Sequence, residues 1–151
     1  MAKTKVEKKK SKRKVKQKER RLKVNGALKR DKAEYHYLEA TYYWDTGNLD
    51  KALLHLEKAT RLDPKNEEFL NEMGRLGSEM DRPDVELKAL LSLYDIRRIT
   101  PDQMYFLCRL LKKAGKHEKA FTIIQEILPL FSRKRGRKKD KEIRDTLIRD
   151  M

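Results

Sequence analysis

The sequence predicts an all-α protein built as an array of about three helical hairpins. Apolar residues recur three or four positions apart through residues 33–132, with polar residues opposite, which is typical of amphipathic helices. Two stretches of the chain, WDTGNLDKALLHL and LKKAGKHEKAFTII, also share one sequence pattern, and such recurrence indicates a repeat architecture. No apolar run is long enough to cross a bilayer, so the sequence predicts no membrane-spanning helix.

The charge divides the chain into three predicted segments. Residues 1–30 hold 15 Lys/Arg and two acids, residues 31–132 hold 15 Lys/Arg and 18 acids, and residues 133–151 hold nine Lys/Arg and four acids. We therefore expect a basic N-terminal arm over 1–30, a repeat domain over 31–132 and a basic C-terminal helix over 133–151.

The N-terminal arm has few apolar residues to bury, so we expect it to be largely disordered or nascent-helical. The nascent helix is expected from Lys14 toward Leu22. Asn25-Gly26 is expected to break that helix, because glycine and asparagine favour turns.

Residues 33–66 form the first predicted repeat and resemble a tetratricopeptide repeat (TPR). The resemblance implies two antiparallel helices, A and B, with small residues where they cross, a glycine in the turn and a proline that closes the unit. His36 departs from the large apolar residue that the family prefers, and Glu39 departs from its usual leucine. The matching residues are Ala40, Tyr43, Gly47, Leu49, Ala52, Leu56, Ala59 and Pro64.

Residues 67–100 resemble the family less closely. Gly77 replaces the usual large residue of helix A, and residues 81–84 are expected to form the turn. Ala89 fits the small-residue position of helix B only if this turn is about three residues longer than usual. Leu70, Met73 and Gly74 fit helix A.

Residues 101–132 form the third predicted repeat. Thr100 as N-cap, Pro101 at the first helical position and Gln103 three residues after the cap are a strong helix-start signal. Pro129 is expected to stop the second helix near Leu128.

The segment after residue 132 is expected to form an amphipathic helix that caps the array, because repeat proteins need a terminal cap. Ile143, Leu147, Ile148 and Met151 would line its apolar side.

No motif in the sequence indicates catalysis, and we expect neither enzyme activity nor a cofactor or metal. His36, His55 and His117 lack metal-ligand spacing, and Cys108 occupies the small position of a repeat helix, where buried packing is expected.

The TPR resemblance implies a concave groove lined by the first helix of each hairpin, which would bind a protein or peptide. Exposed aromatic and arginine side chains anchor interfaces. The alternative is that Tyr37, Trp44 and Tyr105 only cover seams between repeats. The acids in the groove favour a basic partner, of which the protein's own arm is one candidate. The predicted groove residues are Glu34, Tyr37, Thr41, Trp44, Asn71, Glu72, Arg75, Glu79, Tyr105, Arg109 and Lys112.

Two dense basic runs, KKKSKRKVK and RKRGRKK, are expected to contact the phosphates of DNA or RNA with little reading of base sequence. A solvated tail and an anionic membrane surface are the alternatives, although the arm lacks apolar anchors for a membrane. The predicted phosphate contacts are Lys8, Lys9, Lys10, Lys12, Arg13, Lys14, Lys16, Arg133, Lys134, Arg135, Arg137, Lys138 and Lys139.

The sequence thus predicts a non-catalytic protein-interaction module tethered by basic arms to nucleic acid or an acidic partner. Its Lys-rich start and the stretch YHYLEATYYWDTGNLDKALLHLEKA also resemble the N-terminal regions of bacterial Swi/Snf-type helicases, so a docking region of a larger nucleic-acid-acting enzyme is one alternative. An RNA or ribosome-assembly factor is the other. The lack of an apolar leader segment predicts a cytoplasmic protein, nucleoid-associated in a bacterium or nuclear in a eukaryote, and not a secreted one.

Overall fold

A computed structural model of the chain describes residues 5–132 and 138–149, and the described residues form seven helices and no strand. The chain divides into two compact units, Met1–Asp63 and Pro64–Met151. The helices are α1 (Lys5–Asp45), α2 (Leu49–Leu62), α3 (Glu67–Glu79), α4 (Pro83–Asp95), α5 (Pro101–Lys113), α6 (His117–Ser132) and α7 (Lys138–Arg149).

Three similar turns mark the repeat. The turn between the two helices of each hairpin is three residues long and has a central residue with positive φ, namely Gly47 at 79°, Asp81 at 52° and Gly115 at 72°. The interval from residue 47 to residue 81 equals that from 81 to 115, and it is called the repeat period below. In each turn, the backbone N–H of the residue after the positive-φ residue donates a 2.8 Å hydrogen bond to the carbonyl five residues earlier, in the last turn of the first helix, as in a Schellman cap. The three bonds run from Asn48 to Tyr43, from Arg82 to Gly77 and from Lys116 to Leu111.

In the first unit, α1 packs against α2 through small side chains. Ala40 of α1 and Ala52 and Ala59 of α2 are buried, as is Leu56. Alanines at the crossing let the two backbones approach, which is the packing that the TPR resemblance implied. Gly47 lies in the turn, as predicted.

In the second unit, helices α3 to α6 contribute the side chains of one apolar core. Helix α4 packs against both α3 and α5, α5 packs against α6, and α6 contacts α7. The buried members of this core are Leu70, Leu90, Leu93, Met104, Leu107, Cys108, Leu111, Ala120, Ile123, Ile124 and Ile127.

The second hairpin has the same three-residue turn as the others, formed by residues 80–82, because α4 already begins at Pro83; the prediction of a turn over 81–84 is therefore wrong in its bounds. The longer turn that would bring Ala89 to the small-residue position of helix B is absent. At Gly77 of α3, helix α4 passes so close that an added Cβ would lie 2.8 Å from the Glu86 backbone nitrogen. Ala89 is nevertheless buried, and a Cβ on Gly74 would lie 3.6 Å from the Ala89 Cβ. A glycine in place of the usual large residue thus accommodates the close approach of the two helices.

The capping signals at the start of α5 are confirmed. The Thr100 hydroxyl accepts a hydrogen bond from the Gln103 backbone N–H at 3.3 Å, and the Gln103 side chain accepts one from the Thr100 N–H at 3.0 Å. Pro101 occupies the first helical position. This reciprocal pair satisfies two backbone donors at the helix start.

Pro129 does not end α6, so that prediction is wrong. The helix runs to Ser132 with the proline inside it. The preceding turns bury Ile123, Ile124 and Ile127 completely or almost completely. Because tertiary packing of an apolar face supplies most of a helix's stability, the loss of one backbone donor does not terminate it.

The prediction of a helix break at Asn25-Gly26 is also wrong. Helix α1 runs without interruption from Lys5 to Asp45, and Gly26 lacks the positive φ that ends a helix. A mid-helix glycine costs only about 1 kcal/mol relative to alanine, which is too little to stop a helix alone. The predicted nascent helix from Lys14 to Leu22 lies within α1, which also crosses the predicted segment boundary at residue 30.

Helix α7 occupies part of the predicted capping segment and contacts α6. Ile148, one of its predicted apolar residues, is exposed. Met151 and the side chains of Ile143 and Leu147 lie outside the described part of the chain. The capping role therefore stays a prediction.

Candidate protein-binding surface

The predicted groove residues of the first repeat lie along one face of α1, because Glu34, Tyr37, Thr41 and Trp44 follow one another at helical spacing. Glu34 and Thr41 are exposed, whereas Tyr37 and Trp44 are half-buried. The Thr41 hydroxyl donates a hydrogen bond to the Tyr37 carbonyl at 3.0 Å. This face thus presents two aromatic rings with one acid and one locally bonded hydroxyl.

The predicted residues of α3 include an ion pair. The Arg75 guanidinium donates to both carboxylate oxygens of Glu72, at 2.7 and 3.0 Å. Arg75 and Glu79 are exposed, and Asn71 is half-buried. Because Glu72 already faces a cation, its charge is offset within α3 itself.

The predicted residues of α5 combine a ring with a cation. Tyr105 is half-buried and packs against the core of the second unit, while Arg109 is exposed. The Arg109 guanidinium lies 5.9 Å from the centre of the Tyr105 ring, within the range of a cation–π contact. Tyr105 therefore covers part of the core of the second unit and remains partly exposed beside Arg109. The first property fits the alternative that the aromatic residues cover packed surfaces, and the second leaves the ring accessible to a ligand.

Gln103 joins two of these helices and was not among the predicted groove residues. Its side-chain amide donates to the Asn71 side-chain oxygen at 2.8 Å, although the two residues are 32 positions apart in the sequence. The sequence signal at Gln103 was the capping box, which uses only its oxygen. The structure shows that its nitrogen also holds Asn71 of α3 to α5.

The predicted residues fall on equivalent positions of the three hairpins. Tyr37, Asn71 and Tyr105 follow one another by one repeat period, and so do Thr41, Arg75 and Arg109. The α1 positions belong to the first unit and the α3 and α5 positions to the second. Each unit therefore carries its predicted contacts on the first helix of a hairpin.

A family model of the tetratricopeptide repeat matches residues 33–66. The chain contains a tetratricopeptide repeat. The match coincides with the first predicted repeat, and the repeat period of the turns extends the same frame through the second and third hairpins. TPR hairpins build extended binding surfaces in repeat proteins.

One solved structure shows the same fold, and a second is similar to a lesser degree. The crystal structure of MamA matches with 20% sequence identity and a TM-score of 0.51, covering 99% of this chain and 91% of that one. A second crystal structure of MamA matches with 19% identity and a TM-score of 0.47, covering 78% and 68% respectively. No curated protein sequence matches the chain. The architecture is therefore a TPR-like array of helical hairpins.

The basic residues outside the TPR hairpins are described in part. Lys8, Lys9, Lys10, Lys12, Arg13 and Lys14 lie within α1, as does Lys16, which is exposed. Lys138 and Lys139 begin α7. The remaining predicted phosphate contacts, Arg133, Lys134, Arg135 and Arg137, lie outside the described residues.

Two histidines meet between the helices of the first TPR hairpin. The Nδ1 atoms of His36 and His55 are 3.2 Å apart, and the Tyr43 ring stacks on His55 with centroids 5.4 Å apart. Burial, together with the nearby His55 and Lys58, lowers the pKa of His36 and so favours its neutral form. Within the described residues, no three His, Cys, Asp or Glu side chains group as a metal site.

Cys108 is a packing residue of the third hairpin, as predicted. It is buried, and its thiol contacts the Ala120 carbonyl at 3.8 Å. Burial raises the pKa of this thiol to about 11, so it is protonated at neutral pH and unsuited to nucleophilic chemistry. Over the part of the chain that the structure describes, no helix has the length and apolarity needed to cross a bilayer.

Proposed function

We propose that the protein is a non-catalytic interaction module that binds a protein or peptide along the first helices of its TPR-like hairpins. The observation that carries this proposal is the repeat period, which sets Tyr37, Asn71 and Tyr105 at one position of each hairpin. In repeat proteins, equivalent positions of successive repeats supply the contacts to a ligand.

The chemistry of these positions favours a ligand with apolar and polar groups in alternation. Tyr37, Trp44 and Tyr105 are half-buried, so each ring is held by its own fold and still offers an edge for contact. Preordered aromatic rings beside an arginine are the residue types that concentrate binding energy at interfaces. Glu34 and Glu79 add exposed negative charge, which suits a ligand with basic groups.

Selection of peptides from a displayed random library against the full chain tests this proposal. Selected peptides should lose roughly tenfold in affinity for Arg109→Ala, since this exposed side chain flanks the Tyr105 ring. Arg61→Ala is the matched control, because Arg61 is an exposed arginine on the second helix of a hairpin. Peptides whose binding is equally insensitive to Arg109→Ala, Tyr105→Phe and Thr41→Ala would contradict the assignment.

We infer a second function for the basic arm, which is tethering to DNA or RNA. Within α1, the side chains of Lys16, Lys18, Arg20, Arg21 and Lys23 are exposed over only two helical turns. Such a density of cations attracts phosphates and releases counterions, so the affinity depends steeply on salt. A solvated tail would show no such binding.

Fluorescence anisotropy of the full chain with short DNA and RNA across a salt series tests the arm. Replacing Lys16, Lys18 and Arg20 by glutamine should weaken binding and reduce the slope of log affinity against log salt by roughly 0.9 for each DNA phosphate that the arm no longer neutralises. Replacing Lys113, Lys116 and Lys119 removes the same charge from exposed positions outside the arm. Equal weakening by both triple variants would show that net charge alone, not the arm, governs the binding.

Two alternative roles share this chemistry. In a docking region of a larger nucleic-acid-acting enzyme, such as a Swi/Snf-type helicase, the reading frame would continue past Met151. In an RNA or ribosome-assembly factor, the chain would co-sediment with ribosomal particles and lose that association when the arm is deleted. Sequencing of the gene and sedimentation of cell extracts distinguish these roles.

A further inference from the structure

Helix α1 carries a row of exposed apolar side chains, here called the α1 stripe: Val24, Leu28, Tyr35, Leu38 and Tyr42. Their spacing of four, seven, three and four positions follows the a and d positions of a heptad repeat, with Asp31 as the single interruption. Each stripe side chain is more than half exposed, from 52% at Leu28 to 62% at Tyr42. An exposed apolar row of this length on a highly charged helix marks an interaction surface.

The repeat period shows that two stripe positions are buried elsewhere in the array. Tyr35 and Tyr42 correspond, one repeat period later, to Phe69 and Leu76, which are 1% and 0% exposed. Tyr35 and Tyr42 are 56% and 62% exposed. In the third hairpin the equivalent residues, Gln103 and Leu110, are half-buried. The first hairpin therefore exposes residues at two positions whose equivalents are buried in the second hairpin and half-buried in the third.

We infer that this face pairs with the same face of a second copy of the chain, in an antiparallel homodimer of α1 helices. A twofold axis level with residue 33 sets Leu28 opposite Leu38 of the second copy and Val24 opposite its Tyr42. The same register sets Asp31 opposite Tyr35 of the second copy, whose hydroxyl is a donor for that carboxylate. All five stripe residues lie in the interface of this register, and each facing pair joins an a position of one copy to a d position of the other.

The charge of α1 selects the antiparallel direction and the second copy as occupant. Residues 1–30 hold 15 Lys/Arg and two acids, whereas residues 31–45 hold four acids and one lysine. A parallel pair would set the two basic segments side by side, which like-charge repulsion opposes. The antiparallel register instead sets Arg21 level with Asp45 of the second copy, and the two arms leave in opposite directions.

Light scattering and sedimentation equilibrium of the full chain test the pairing. The 18.0 kDa chain should form a dimer of twice that mass, and Leu38→Glu should weaken the dimer by roughly tenfold or more, because it sets a charge in an apolar layer. Leu54→Glu is the matched control, since Leu54 is 50% exposed on α2, away from the stripe. A monomer at every concentration, or equal weakening by both variants, would overturn the inference.

Disulfide trapping tests the direction in a Cys108→Ala background, which removes the single native cysteine. A mixture of Leu28→Cys and Leu38→Cys chains should form a cross-linked dimer joining one of each. Leu28→Cys alone should not cross-link, because the antiparallel register separates the two copies of residue 28 by about 15 Å along the helix. Efficient cross-linking of Leu28→Cys with itself would indicate a parallel pair and refute the proposed register.

Discussion

At Gly77, helices α3 and α4 approach so closely that no side chain fits between them. An added Cβ would lie 2.8 Å from the Glu86 backbone nitrogen and 3.1 Å from the Val85 side chain. The obstacle is backbone, which cannot rotate away as a flexible side chain does. Gly74, one turn earlier on α3, has room, since the nearest atom to its added Cβ is the Ala89 Cβ at 3.6 Å.

These two glycines give a matched prediction about stability. Gly77→Ala should destabilise the fold by about 1 kcal/mol net or more, because overpacking costs about 1–3 kcal/mol and exceeds the helix-propensity gain. Gly74→Ala should be neutral or stabilising by up to about 1 kcal/mol. Urea unfolding followed by circular dichroism measures both. Equal effects of the two substitutions would show that the α3–α4 contact at Gly77 does not limit the packing.

At the scale of the element, α1 continues through a dipeptide that favours turns. Gly26 has helical backbone and no neighbour within 4 Å of an added Cβ. Gly47 differs, because its φ of 79° lies where residues with a side chain are strained. Gly26 therefore continues a helix, whereas Gly47 forms a turn, although each follows a polar residue in the sequence.

Alanine substitution at these two glycines should change helix stability in opposite directions. Gly26→Ala should stabilise α1 by about 1 kcal/mol and slow amide hydrogen exchange around residues 20–30. Gly47→Ala should destabilise the first hairpin by about 1–2 kcal/mol, because a Cβ is disfavoured at positive φ. Hydrogen exchange resolved by residue measures both effects. Faster exchange around residue 26 in Gly26→Ala would contradict the continuous helix.

At the scale of the whole molecule, a buried thiol in the core of the second unit makes the free energy of unfolding vary with pH in the alkaline range. Burial raises the pKa of Cys108 to about 11 from an ordinary value of 9.0, so the native state holds the thiol proton more tightly than the unfolded chain. The stabilisation from the neutral thiol is complete below pH 9 and is lost as the pH rises through 11. Folding of this unit is therefore linked to one proton in the alkaline range.

Comparison of the wild type with Cys108→Ala isolates this linkage from the titration of lysines and tyrosines. The free energy of unfolding of the wild type should fall by roughly 1–3 kcal/mol more than that of the variant between about pH 8 and 11. Urea titrations at each pH measure the difference. Parallel pH profiles for the two proteins would contradict the raised pKa.

The sequence by itself determined the all-α class, the first repeat and the local helix signals. Thr100, Pro101 and Gln103 cap α5 as predicted, and Gly47 forms its turn, because a cap or a turn depends on residues a few positions apart. The groove positions followed from the repeat register and lie on the first helices of the hairpins. The caps and the turn depend on neighbouring residues, and the groove positions depend on the period with which the repeat recurs along the chain.

The tertiary structure decided where packing overrides the local sequence signals. Pro129 remains inside α6 because the isoleucines before it are buried, and Gly77 replaces a large residue because α4 passes beside it. Gln103 reaches Asn71, which is 32 positions away in the sequence, a contact that no local pattern records. Likewise, only the structure shows that Tyr35 is open to solvent while Phe69, its equivalent, is buried. Burial and close approach depend on residues distant in sequence, and a single sequence does not state which of them meet.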